Sequence, residues 1–388
     1  MLRSADPKDC RDIIQGAHIK RLGLSNSLKD LEARAVPNQR LVKSFGINNC
    51  FTTTMQDRCH EFRSGVERLI HMEPEKWNQV ADAIRAIVQY EFSKPEETQN
   101  LSDLTQMVVM KTSLHILFPS EFDFQDHNVD SAVCELAKQI NQTWLLSKNE
   151  HSLSNFHASS QLKKALGVVL PLRASNDDPA QNPLNWILPG YETIWRVTLR
   201  CFVELNMRHH PHESEWHRVL DAFAANPTRD QLKERNAHGV SAMDVSKEAL
   251  RLYPPTRRIY RTFQSAAGVE YETAADVESL HRNLIIWGVD AEMYRPERWA
   301  GLSGTQTKHF MPMGCKPFAC PARQESFSGA DAAKLPFGVS FLALLVGIMS
   351  DEKQKQGWQA YGSLPDKGGP LPTDREALGD LFVRRAAG

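Results

Sequence analysis

The sequence has almost no charge imbalance: 46 basic residues face 47 acidic ones over 388 positions. A general nucleic-acid binder carries a basic excess, so this balance disfavours that class. Long apolar runs are also missing. The longest, Leu335 to Met349, is about 15 residues and contains Pro336, Gly338 and Gly347, short of the ~20 that span a bilayer. It reads as a buried core helix. The opening stretch MLRSADPKDCRDIIQG has no apolar segment of the kind that forms a secretory signal or a membrane anchor. There is no repeat period, no low-complexity block, and no GxGxxG or GxxxxGK[ST] fingerprint, so no nucleotide site is expected. The seven cysteines, Cys10, Cys50, Cys59, Cys134, Cys201, Cys315 and Cys320, are odd in number and dispersed. That argues against a disulfide scaffold and for a reducing compartment.

What is present is a hydrophobic fraction of 41%, enough for a substantial core. Helical periodicity covers about 57–70 and about 75–92, where Trp77, Val80, Ile84 and Ile87 recur at helical spacing. Weaker helical patterns cover 101–117, 129–147 and 158–170. The clearest helix runs over about 184–208, with Ile194, Val197, Thr198, Cys201, Phe202 and Leu205 on one stripe. A helix over about 242–253 begins at a capping-box pair, Ser241 and Asp244, and must stop at Tyr253 before Pro254 and Pro255. RRIYRTF and GVEYET read as strands. The irregular stretch that follows, to about 322, is too long for a bare loop without a task.

Four constellations could carry chemistry. Glu248 and Arg251 share a helix face; taken alone they are an ordinary ion pair. Cys320 lies in a Gly- and Pro-flanked loop just before a helix, where a dipole and free N–H groups would stabilise a thiolate for a metal or a nucleophile; alone, a buried structural cysteine is the simpler reading. Its spacing from Cys315 is unusual for zinc. Pro189-Gly190-Tyr191-Glu192-Thr193 places a carboxylate beside a hydroxyl. If Pro189 falls inside the helix, the weakened ladder could hold a small ligand, with Glu192 and Thr193 as a proton relay. If it starts the helix, Glu192 only complements the dipole. His209, His210, His212 and His217 form a histidine cluster that reads as a solvated loop, with zinc binding as the rival.

The order of the segments says more than any one of them. KEALRLYPPTRRIYR, then DAEMYRPERW, then FMPMGCKPFACPAR resembles the C-terminal half of a cytochrome P-450, the heme-thiolate monooxygenase family, of the filamentous-fungal secondary-metabolism type. The stretch ADVESLHRNLIIWGVDAEMYRPERW is especially similar. The resemblance covers about 184–380 and, more loosely, 45–180. It implies a mainly α fold with a minor β portion, partly truncated at the N-terminal side: residues 1–45 a poorly defined segment in which an anchor and most of the first sheet are missing, and 46–388 a heme-binding domain. It implies heme b with Cys320 as axial ligand, Gly314 in the heme loop, and Glu192 and Thr193 delivering protons. Glu248 and Arg251 become an ExxR pair completed by Arg298. Arg258, with Arg257 beside it, and His60 and Arg63 become propionate partners. The implied reaction is O2-dependent oxidation of an apolar small molecule, with electrons from a separate NADPH reductase docking near the Arg251–Arg261 region. The implied location is cytoplasmic or peripheral to the endoplasmic reticulum. Heme-dependent isomerisation, ring closure or dehydration, and a non-catalytic remnant of the fold, are the alternatives. The family pattern is altered at Met313, Lys316, Phe318, Ala322 and Pro189; at Phe318 a basic propionate partner is lost.

Overall fold

Residues whose side chains repeat at helical spacing form helices, and the longest of these enclose one large core. The computed structural model describes residues 2–17, 19, 23–25, 30–148, 159–174, 178–265, 267–323, 331–364 and 368–386. The expected helices fall at Gln56–Ile70, Pro74–Ser93, Leu101–Leu117, Asp130–Leu146, Ser160–Val169 and Ala242–Leu252. The apolar run near the end becomes the helix Phe337–Lys355. It is apolar all round because it is surrounded by Pro74–Ser93, Ile194–Met207, Glu213–Ala225 and Ala242–Leu252. Among the described residues no helix is long and apolar enough to cross a membrane.

Among the described residues, seven short strands make two sheets. β1 (Leu2–Ser4), β2 (Leu24–Ser25), β4 (Arg258–Ser265) and β5 (Glu270–Asp276) form one, in the order β1-β5-β4-β2. β4 and β5 are the two strands expected after Pro255. β3 (Thr98–Asn100), β6 (Trp358–Tyr361) and β7 (Phe382–Arg385) form the other, in the order β3-β7-β6. The C-terminal tail therefore returns to the core and buries Leu371, Leu378, Leu381 and Val383.

The first 45 residues differ from the expectation of a poorly defined segment lacking most of its sheet. They supply two of the four strands of the larger sheet. The helix Pro7–Gln15, capped by Asp6, packs on β4 and β5. Cys10, Ile13, Ile14, Ile19 and Leu24 form a second apolar cluster with Phe263, Ala275, Val277, Leu280, Met311 and Cys315. The pattern is invisible in sequence because its apolar positions are few and their partners lie some 250 residues away.

This packing makes a prediction. Ile13 is 1% exposed, so Ile13→Ala should cost ~2–5 kcal/mol. Urea unfolding should show one cooperative transition with a lowered midpoint. An unchanged midpoint would mean that the N-terminal segment is a loose appendage.

Candidate active site

The helix Ala242–Leu252 starts at the Ser241–Asp244 capping box and ends before Pro254, which fixes where Glu248 and Arg251 stand. Both are fully buried. Glu248 Oε1 accepts from Arg251 Nη2 at 2.7 Å, Arg298 Nε at 2.8 Å and the Arg295 N–H at 3.0 Å. Its Oε2 accepts from Arg251 Nε and Trp299 Nε1, both at 3.0 Å. Burial alone would raise this carboxyl; Arg251, Arg298 and the Arg295 N–H more than reverse it and hold it below the ordinary range. The arginines then reach onward. Arg251 Nη1 donates to the carbonyls of His281 and Ala291, both at 2.6 Å. Arg298 donates to the carbonyls of Trp287 and Asp290 and to the Asp290 carboxylate. The three residues expected as a network meet, and they organise the irregular stretch 277–300.

His281, which sequence reasoning passed over, carries that order to the cysteine loop. Its Nδ1–H donates to the Arg251 carbonyl at 3.1 Å, and its Nε2 accepts from the Met311 N–H at 2.9 Å. Burial, then the Arg251 charge, pushes its pKa down to about 3, so the ring stays neutral. The signal available was its place in the quoted segment ESLHRN.

The loop itself turns at Gly314, whose φ of +74° favours glycine. The Cys320 N–H donates to the Met313 carbonyl at 3.0 Å, and Arg323 donates to the Gly314 carbonyl at 3.0 Å. Gly338 lets the helix Phe337–Lys355 approach: a Cβ there would meet Met313 Cε at 2.4 Å and the Ala322 carbonyl at 2.9 Å. The expected helix directly after Cys320 is not there. Only the 3-10 turn Pro321–Arg323 follows, 324–330 lie outside the described residues, and the long helix begins at Phe337. The thiol pKa is accordingly raised by burial, with the Ala322 N–H and Arg63 acting in the opposite sense. Yet the side chain keeps accessible surface.

Against Phe318 of the same loop stand two buried guanidinium groups. Arg34, on the helix Asp30–Ala35, lies 4.6 Å from the Phe318 ring, and Arg261, on β4, lies 5.2 Å from it. Their Nε atoms have no hydrogen-bond partner, and neither pairs with a carboxylate among the described residues. Burial, then Arg34, lowers the Arg261 pKa to about 9. Two uncompensated buried cations call for an anion. Arg63 Nη1 donates to the Pro317 carbonyl at 3.2 Å. The residues present thus fit a dianionic porphyrin: an accessible thiol on a loop that is flanked by cations.

Other expected residues stand elsewhere. Arg258 is set against Asp276, 3.9 Å away, and not against the cysteine loop. Strand alternation explains this, since Arg258 and Arg261 are three apart and point to opposite faces. Arg257 turns to the tail, donating to Thr373 Oγ1 at 2.6 Å. His60 is exposed on its helix. Within the Arg251–Arg261 region, expected to lend charge to a docking face, Arg251 and Arg261 are buried and only Arg257 and Arg258 are part-exposed. Pro189 lies inside a continuous helix: Leu184–Ile187, a π turn Leu188–Glu192, then Ile194–Met207. Such turns loosen the ladder. Thr193 Oγ1 donates to the Pro189 carbonyl at 3.4 Å. Glu192 is buried and paired with Arg375 from the tail and with Arg196 at 3.5 Å. The histidines are not a metal cluster: His210 Nε2 pairs with Glu204 at 2.8 Å and His217 Nε2 with the Leu205 carbonyl at 3.0 Å. No group of metal-ligating side chains is found among the described residues.

Two variants test this framework. Glu248→Gln leaves two buried arginines without their carboxylate and should cost ~3–5 kcal/mol in denaturant unfolding. His281→Asn tests the link to the loop. In the native chain the folded pKa of about 3 lies below the unfolded value of 6.5. Between these values the unfolded chain takes up a proton that the folded chain refuses, so stability falls as pH drops through that window. The variant should be less stable at pH 7, and its stability should decline less between pH 7 and about pH 5. An identical decline would show that His281 is not the group responsible.

No family model matches the chain. A cytochrome P450 monooxygenase, claQ, from Ampulloclitocybe clavipes is 29% identical over 161 residues, covering 36% of this chain and 29% of that protein. A benzoate 4-monooxygenase, bphA, from Aspergillus niger is 35% identical over 88 residues, 22% of this chain and 16% of that protein. The chain spans less than a third of the length of these curated relatives. Among solved structures, a cytochrome P450DA heme domain matches with a TM-score of 0.58 at 14% identity, covering 99% of this chain and 87% of that one. A six-coordinated cytochrome P450 from Thermus thermophilus matches with a TM-score of 0.55 at 15% identity, covering 92% and 89%. Over nearly its whole length the chain thus has the fold of the cytochrome P450 heme domains, and over part of its length it is similar in sequence to cytochrome P450 monooxygenases.

Proposed function

We propose that the chain binds heme b through the Cys320 thiolate and is a monooxygenase that hydroxylates a small, largely apolar molecule in secondary metabolism. The observation that carries the reading is the accessible yet desolvated Cys320 thiol, beside two buried guanidinium groups with no carboxylate. Heme, when bound, supplies the activation of O2, which thiolate donation favours. The chain supplies the rest. Gly314 and the Met313 carbonyl hold the loop that presents Cys320. Arg34, Arg261 and Arg63 take the two propionates, so that the first two replace the basic residue lost at Phe318; Arg258 and His60 have no such neighbours. Glu192 Oε and Thr193 Oγ1 hold the protons the reaction consumes. Electrons come from a separate NADPH-dependent reductase. A cytoplasmic or peripheral endoplasmic-reticulum location accompanies this reading.

One observation favours a second reading. Glu192 is paired with Arg375 and Arg196, and a carboxylate held by two cations is a poor proton donor. That suits isomerisation, ring closure or dehydration on the same heme, without net insertion of oxygen. Product analysis with and without reductase separates the two.

The absorption spectrum of the reduced, carbon monoxide-treated protein tests ligation. A long-wavelength Soret band is expected. Cys320→Ser should abolish it, whereas Cys315→Ser should leave it intact, because Cys315 packs in the second apolar cluster. Loss of the band in both variants, or in neither, would refute Cys320 as the ligand.

A further inference from the structure

Cys59 stands near the start of the helix Gln56–Ile70, half-buried, with its sulfur held between two groups. Arg34 Nη2 donates to Cys59 Sγ at 3.0 Å, and the thiol donates to the Cys50 carbonyl at 3.5 Å. Arg34 is also the cation that lies 4.6 Å from the Phe318 ring of the cysteine loop. Arg63 follows Cys59 by four positions, so the two share a helix face, and Arg63 donates to the Pro317 carbonyl. The helix packs on the turn Pro321–Arg323. Cys59 and the loop that carries Cys320 therefore share one guanidinium.

That guanidinium is 7% exposed, its Nε has no hydrogen-bond partner, and no carboxylate meets it among the described residues. Its other neighbours are the Phe51 ring at 5.9 Å and the Phe318 ring, which oppose a full charge only weakly. An oxyanion on the Cys59 sulfur would oppose that charge; a thiol does not. The other cysteines lack this setting. Burial pushes the Cys10, Cys50 and Cys201 thiols up to about 12 and raises those of Cys315 and Cys320. A thiol so raised reacts slowly with peroxide, because the thiolate is the nucleophile. Cys134 is half-buried like Cys59, but no cation is directed at its sulfur among the described residues.

We propose that Cys59 is a modification site for hydrogen peroxide, oxidised to a sulfenic acid whose oxygen is held by Arg34. The sulfur attacks one peroxide oxygen, the O–O bond breaks, an S–O bond forms and water leaves. Sulfur gives up two electrons and the peroxide takes them. Arg34 N–H groups stabilise the charge that develops on the leaving oxygen, and afterwards the charge on the product. One guanidinium cannot serve two anions fully, so oxidation withdraws Arg34 from the porphyrin edge and weakens heme binding. This last step rests on the proposed function, which makes Arg34 a propionate partner; the oxidation itself does not.

The test exposes the full chain, heme-free and heme-loaded, to hydrogen peroxide with a cyclic-diketone trap for sulfenic acids, followed by tryptic mass spectrometry. Trypsin cuts after Arg58 and Arg63, so Cys59 falls in the peptide CHEFR, apart from Cys50. Cys59 should be trapped about tenfold faster than Cys134. Arg34→Gln should lower that rate about tenfold, and Arg34→Lys, which keeps the charge, should restore most of it. Buried Cys10 and Cys201 stay untrapped in a folded variant, which gives an internal control. After catalase removes the peroxide, the treated heme-free chain should bind heme about tenfold more weakly. A thiol reductant should reverse this, and Cys59→Ser, treated alike, should bind heme as the untreated chain does. Equal trapping of Cys59 and Cys134, or an unchanged rate in Arg34→Gln, would overturn the site. So would a Cys50–Cys59 disulfide in place of trapped sulfenic acid, because a disulfide carries no charge for Arg34 to hold. Weakened heme binding that persists in Cys59→Ser would place the damage at another thiol and overturn the link to heme. Failure of the untreated chain to bind heme would overturn the proposed function alone, since trapping at Cys59 is read without heme.

Discussion

A single carboxylate, Glu248, is the point on which the C-terminal half of the molecule hangs. It is fully buried and accepts five hydrogen bonds, from Arg251, Arg298, Arg295 and Trp299. Removing a charge from water costs several kcal/mol, and only near-complete satisfaction offsets that cost. The satisfaction here comes from a stretch with little regular structure, residues 277–300. That stretch can be irregular and still ordered because its carbonyls are bound by Arg251 and Arg298. His281 passes the constraint to Met311, the residue from which the turn to Gly314 and Cys320 departs. The position of one sulfur therefore depends on a network whose first member lies 72 positions earlier in the sequence.

The second organising constraint is positive charge that the protein neutralises only in part: Arg63 pairs with Glu67, Arg257 with Asp374, and Arg196 and Arg375 share Glu192, whereas Arg34 and Arg261 meet no carboxylate among the described residues. Two sets of cations are separated by their elements. Arg34, Arg63 and Arg261 flank Phe318 in the cysteine loop. Arg196, Arg200 and Arg257 line a small cleft beside Thr193. A formal net charge of −1 for the chain conceals this unevenness. Buried cations without counter-ions lower stability, and natural proteins keep such strain where a ligand relieves it. Propionates are the proposed relief for Arg34 and Arg261.

Reading of the sequence reached the long helices because each repeats apolar side chains every three or four residues. It marked Pro189-Gly190 as a place where the helix either starts or loosens, because proline and glycine disturb a helix in a known way; the structure shows the second, as a π turn. It missed the structure of the first 45 residues, where a two-residue strand and a short helix carry no period of their own. It placed Arg258 rather than Arg261 beside the cysteine loop, since the choice depends on which face of β4 turns inward. It gave no role to Arg34, because nothing local distinguishes it from an exposed helical arginine.

The amino-acid order alone, through the resemblance of short segments to a known family, gave the fold class, the network of Glu248, Arg251 and Arg298, and Cys320 as the proposed centre of the site. Each is carried by short segments that can be compared without coordinates. Tertiary structure decided the partners of the remaining charges: Glu192 with Arg375, Arg257 with Thr373, Arg261 beside Arg34. Those pairings join residues up to 227 positions apart. Which of many chemically equivalent arginines meets a given carboxylate follows from the packing of whole helices and strands, and no local pattern encodes it.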